Sequence, residues 1–118
     1  MLPTEFRLRS AADFAAATRR GARGASRTIV VHLYRTDRSA GPRAGFVVSA
    51  KVGNSVVRHR VTRRLRPLVR EALGDLPAGT DLVVRALPAA AGESSGRLGE
   101  DLRSAVGTAL DSARRRRR

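Results

Sequence analysis

The stretch "KVGNSVVRHRVTRRLRPLVRE", Lys51 to Glu71, constrains the fold more than any other part of the chain. At about 100° per residue, Val57, Leu68, Val61, Ala72, Leu65, Val69 and Leu73 form one contiguous apolar arc. Arg66, Arg70, Arg63, Arg60 and Arg64 fill the arc opposite. Such a helix has to bury its apolar side against another layer. Gly53 and Asn54 predict the turn before it, with Asn54 or Ser55 as N-cap. Pro67 removes a hydrogen bond and crowds the carbonyl four residues back. It predicts a kink near Arg63 to Arg66, or a helix restarted at Pro67.

The polar arc is unusual because Glu71 is the only acid in the stretch. Solvated helix faces usually mix signs, since acid–base pairs at i,i+4 help the helix. Here Arg60 with Arg64, and Arg66 with Arg70, are like-charge pairs. Arg58 and Arg60 also oppose the helix dipole, at up to about 0.3–1 kcal/mol each. Repeated costs of one sign point to an external polyanion. The net charge of the whole chain, +14, agrees. Five of those charges lie in the run Arg114 to Arg118, so the bias belongs to the body of the chain as well. RNA, DNA or an anionic membrane would answer such a field. The helix start adds free N–H groups, so "KVGN" before "RHR" forms a cation-rich anion site.

Around this helix the chain reads as one α+β domain over residues 1–113, with 114–118 as a disordered basic tail. "SAADFAAATRRG" predicts a helix capped by Ser10 and stopped at Gly21, with Ala11, Phe14, Ala15 and Thr18 on one face. "GARGAS" is a loop or a short irregular strand. "TIVVHLYR" is a strand with Ile29, Val31 and Leu33 on one side and Val30, His32 and Tyr34 on the other. "TDRSAGPR" predicts a hairpin loop leading into the strand "RAGFVVSAK". On that strand Ala44, Phe46, Val48 and Ala50 share a face. Gly45, Val47, Ser49 and Lys51 form an opposite face of small or polar residues, expected to be open. "TDLVVRAL" is a further strand, "PAAAGESSG" a linker, and "RLGEDLRSAVGTALDSA" a final amphipathic helix. The order α-β-β-α-β-α, with room for one extra short strand, predicts a two-layer α-β sandwich.

Several function classes are excluded. Without cysteine there is no disulfide, thiol chemistry or Cys-ligated zinc. No apolar run reaches the roughly 18 residues of a membrane span. "MLPTEFRLRS" lacks a signal-peptide core, so the expected location is the cytoplasm. His32 and His59 lie on different elements, and no triad, carboxylate pair or phosphate loop is evident. No protein catalytic residue and no metal site are expected. On these residues alone an RNA-binding or ribosomal-type protein, and a DNA-binding nucleoid protein reading a major groove, both stay open.

One resemblance narrows the choice. "GFVVSAKVGNSVVRHRVTRRLR" resembles the signature of the bacterial ribonuclease P protein subunit: a strand ending in Ser and Lys, then Val/Ile-Gly-Asn, an Arg-Asn-Arg motif and a basic pair. The likeness runs from "RLRSAADF" (Arg7 to Phe14) through "DLVVRALP" (Asp81 to Pro88). It implies an α-β sandwich with a left-handed βαβ crossover. It also implies a place in an endoribonuclease, a hydrolase that removes the 5′ leader of precursor tRNA. The RNA subunit would carry the chemistry with Mg2+, and the protein would bind no cofactor. The implied partners are that RNA and precursor tRNA, with no membrane and no obligate protein partner. By the same resemblance, Arg58, His59, Arg60, Arg63 and Arg64, with Asn54 and Lys51, bind RNA. Phe14, His32, Ser49 and Lys51 line the leader cleft. His59 replaces the usual Asn but can still donate and accept. Ala50 and Thr62 stand where Lys is frequent, and Thr18 where a second helix aromatic is often found. Aromatics are only 3% of the chain, so base stacking should contribute less and backbone contacts more.

Overall fold

The structure is a computed structural model that describes residues 6–116. Its elements are α1 (Ala11–Arg20), β1 (Ala22–Ala25), β2 (Ile29–Arg35), β3 (Arg43–Val47), α2 (Ser55–Leu73), β4 (Thr80–Ala86), a 3-10 turn (Pro88–Ala90) and α3 (Ser95–Arg116). The four strands form one sheet in the order β1-β2-β4-β3. β1 and β4 flank β2 antiparallel, while β3 lies parallel to β4. β3, α2 and β4 thus form a βαβ unit.

The strand order corrects one expectation. "TDRSAGPR" does not close a hairpin, because β4 pairs with both β2 and β3 and separates them. The connection bridges over the end of β4 instead. There Gly79 donates its N–H to the Ala40 carbonyl at 2.9 Å, and Thr36 donates to the Gly79 carbonyl at 2.9 Å. "GARGAS" yields the extra strand, β1.

One face of the sheet, with Ile29, Val31, Leu33, Ala44, Leu82, Val84 and Ala86, packs under α2 and α3. Val61, Leu65, Val69 and Leu73 of α2 are buried in that core, as the apolar arc requires. α3 adds Leu98, Leu102, Ala105, Val106 and Ala109. It crosses β1 so closely that a Cβ on Gly24 would lie 1.9 Å from the Ala105 carbonyl oxygen. The opposite face is not fully open. α1 lies across it and buries Ala17 against Val83, with Phe14, Tyr34 and Val47 packed around them. The buried side of α1 therefore centres on Ala17 and Phe14, while Ala11 and Thr18 are exposed. A Cβ on Gly45 would meet the Phe14 ring at 2.2 Å. Ser10 caps α1, its Oγ accepting from the Ala12 and Asp13 amides at 3.1 and 3.4 Å.

α2 runs unbroken from Ser55 to Leu73 through Pro67, so no second helix starts there. Pro67 is exposed, which leaves the carbonyl it cannot serve on the solvent side. The linker "PAAAGESSG" is also more ordered than expected. Ala90 in its 3-10 turn is fully buried, and Ser94 accepts from the Arg97 amide at 3.2 Å at the start of α3. The expected tail is not separate from the domain up to Arg116, because Arg114 to Arg116 form the last turn of α3. Arg117 and Arg118 lie outside the described residues.

Candidate nucleic-acid interface

The interface is built where β3 ends and α2 begins. β3 stops at Val47, two residues before Ser49. The chain then turns, with the Val52 amide donating to the Ser49 carbonyl at 3.0 Å and Val52 buried in the core. Lys51 stands exposed on this turn. Asn54 caps α2, its Oδ1 accepting from the Val57 amide at 3.0 Å. That cap occupies one of the free N–H groups and the acceptor end of the Asn54 side chain. The side-chain NH2 of Asn54 remains for an external partner.

The arginines of α2 divide into two sets. Arg60 donates to the Ala91 carbonyl at 2.9 Å, and Arg64 to the Glu93 carbonyl at 2.7 Å. These bonds tie α2 to the segment leading into α3. Arg63 and Arg70, with His59, are exposed on the outer side. Ser55, Val56, His59, Arg60 and Arg63 line a shallow depression there. Among the described residues the ion pairs are Arg27–Glu93, Arg38–Asp81, Arg43–Asp13, Arg43–Asp81, Arg97–Glu100 and Arg114–Asp111. None uses an α2 arginine, so no carboxylate of the described protein neutralises this face.

A groove of about 540 Å³ opens beside it, between α1, β3 and the middle of α2. Arg7, Arg9, Phe14, Phe46, Thr62 and Arg66 contribute to its walls. Arg7 and Leu8 are held there by a parallel bridge to Ala44 and by a bond from the Leu8 amide to the Ala44 carbonyl at 2.9 Å. Of the four residues assigned to one cleft by resemblance, only Phe14 lines this groove. Ser49 and Lys51 are on the turn beyond the strand. His32 is 8% exposed on the outer sheet face, beside its β1 partner Arg23. Burial and then the charges of Arg23 and Arg85 lower its pKa below the usual imidazole value.

Arg9 was not singled out from the sequence, and Thr62 and Arg66, noted there on α2, were not assigned to the groove. The alternation in "RLRS", with Leu8 buried and Arg7 and Arg9 on either side, carried the signal for the first arginine pair. The other unforeseen device is structural. Asp81, 1% exposed, receives Arg43 through Nε at 3.1 Å and Nη2 at 3.0 Å, and Arg38 through Nη2 at 2.9 Å. Arg43 also reaches Asp13 at 3.2 Å, which pins α1 to the edge strand. The hydrogen bonds that Arg43 donates to Asp81 come first in raising its pKa, so this guanidinium is fixed in its charged form.

The family model for ribonuclease P matches residues 2–110. The chain belongs to the ribonuclease P family. A ribonuclease P protein component from Kocuria rhizophila is 51% identical over 110 residues, covering 93% of this chain and 96% of its own. One from Salinispora tropica is 48% identical, with 100% of both chains covered. Among solved structures, the RNase P protein of Staphylococcus aureus superposes with a TM-score of 0.78 at 25% identity, over 86% of this chain and 93% of that one. The RNase P protein of Thermotoga maritima gives 0.70 at 26% identity, over 81% and 90%. Each superposition covers more than four fifths of this chain. The α+β architecture expected from the residues is therefore the family's own.

Proposed function

We propose that this chain is the protein subunit of ribonuclease P, part of an endoribonuclease that matures tRNA, and that α2 holds the catalytic RNA. One observation carries the reading: an α2 face of His59, Arg63 and Arg70, with Arg58 beside it, that meets no carboxylate and opens onto a groove. An unneutralised arginine face on a rigid helix suits phosphates, because each guanidinium can fork across two oxygens. Lys51 and the NH2 of Asn54 extend the same surface across the turn. The RNA subunit, using Mg2+, performs the hydrolysis in this reading, and the protein supplies binding and orientation.

The groove is the site for the single-stranded 5′ leader of precursor tRNA. Its two chemistries fit a single strand: guanidiniums of Arg9 and Arg66 for phosphates, and the partly exposed Phe14 ring for one base. Among the described residues no helix is long and apolar enough to cross a membrane.

The test compares precursor and mature tRNA binding to the assembled holoenzyme. Arg9→Gln with Arg66→Gln should weaken precursor binding and leave mature tRNA binding unchanged. Equal effects on both ligands, or none on either, would remove the leader from the groove.

A further inference from the structure

A second basic surface lies at the other end of the sheet. Arg19 and Arg20 end α1, Arg35 ends β2, and Arg114, Arg115 and Arg116 form the last turn of α3, all exposed. The fold brings these three element ends together. The Arg116 side chain donates to the Arg20 carbonyl at 2.9 Å. Arg20, Arg35 and Arg116 surround a groove of about 270 Å³ floored by Ala22, Leu33 and Ala113. A neighbouring groove, also about 270 Å³, continues past Arg114 to Leu76 and Thr80.

Arginines at helix C-termini are favourable in themselves, because they face the negative end of the dipole. That explanation is too small here. Two helix ends supply about half a negative charge each. Asp37 and Asp75 on the adjoining loops and Asp111 in the C-terminal turns of α3 are the nearby carboxylates, and Arg114 pairs with Asp111 at 3.6 Å. Against six guanidiniums this leaves a surplus of roughly two positive charges. The surplus is held in place by ordered backbone.

The surface is separate from the N-terminal half of the α2 face, which carries His59 and Arg63. Arg35 pairs with Thr80, the first residue of β4. Arg60 and Arg64 bond to Ala91 and Glu93, beyond the last residue of β4. At about 3.3 Å per residue the two sets stand roughly 20 Å apart along that strand.

We infer that this second arginine surface is a sequence-independent docking site for a second RNA backbone segment, so that the protein clamps RNA from both ends of its sheet. The inference rests on the RNA-binding reading of α2. Phosphate fits the chemistry better than a lipid surface. The patch offers guanidinium forks and no exposed apolar side chain to insert; the exposed large hydrophobic residue of the described chain, Val56, is on α2. The occupant is a segment of the RNA subunit, because the precursor's leader is already placed in the groove between α1, β3 and α2.

The absence of cysteine allows a direct test, because a single introduced thiol carries a probe without competition. Arg115→Cys and His59→Cys, each bearing an iron chelate that cleaves nearby backbone, are assembled into holoenzyme with one RNA labelled at a time. The Arg115 probe should cut a segment distinct from that cut by the His59 probe. Those cuts should fall in the RNA subunit; cuts by the Arg115 probe in the precursor alone overturn the assignment. Arg35→Gln, Arg114→Gln and Arg115→Gln together should lower the salt slope of RNA binding by about 2, with an unchanged melting transition. A silent Arg115 probe beside an active His59 probe, or an unchanged salt slope, overturns the second site alone. Silence from both probes overturns the α2 reading, and the inference with it.

Discussion

His32 shows how one buried side chain links the sheet to pH. Its imidazole is almost enclosed and its Nδ1 has no hydrogen-bond partner among the described residues. Its pKa in the folded state lies below the ordinary value of 6.5. The unfolded chain therefore binds more protons than the native chain as pH falls below about 6.5, and stability falls with it. Thermal melting of the wild type should drop on acidification from pH 7 to 5. The melting temperature of His32→Gln should drop less across the same window. Parallel curves for the two proteins would show that His32 is freely solvated. Other residues at this scale act by being small. Gly24 was read in a loop or short irregular strand and Gly45 on an open strand face, yet each admits another element, the α3 backbone and the Phe14 ring respectively. Their need for hydrogen in place of a side chain was not legible, because it depends on contacts between segments far apart in sequence.

Among the elements, α2 was the most legible. Its 3.6-residue periodicity placed Val61, Leu65 and Val69 in the core, and all three are fully buried. Leu65→Ala should cost roughly 2–5 kcal/mol in chemical denaturation, the range for a leucine removed from a packed core. A loss below about 1 kcal/mol would mean that α2 does not dock on the sheet in this way. The polar side of α2 was legible only as a uniform face. Periodicity distinguishes inside from outside, but it does not show that Arg60 and Arg64 meet the carbonyls of Ala91 and Glu93. These two should therefore differ from Arg63. Arg63→Ala should lower RNA affinity and the salt slope, by about 0.7–0.9, with stability unchanged. Arg64→Ala should also destabilise the fold, by about 1.5–3 kcal/mol for a hydrogen bond from a charged donor. Identical stability profiles for the two variants would contradict the division. Similarly, alternation identified the faces of β2, but nothing local revealed that β4 sits between β2 and β3.

At the scale of the molecule, charge indicated a polyanion and the resemblance indicated RNA, more clearly than either indicated where it would lie. The arginine block and the Gly-Asn turn were contiguous in sequence, so their junction could be read directly. The groove was not contiguous: Arg9 and Phe14 reach it from the N-terminal segment and α1, and Arg66 from α2. Likewise Ser49 and Lys51 sit on a turn because β3 ends early, and Val52 must fold back into the core. The central claim is that this assembled surface serves ribonuclease P. It is tested most directly by reconstituting the chain with a ribonuclease P RNA and measuring cleavage of precursor tRNA at low Mg2+, where RNA self-repulsion is least screened. The chain should restore removal of the 5′ leader at the mature end, and charge reversal by Arg63→Glu should abolish that rescue while the protein remains folded. Cleavage no faster than with the RNA alone, or full rescue by Arg63→Glu, would contradict the account.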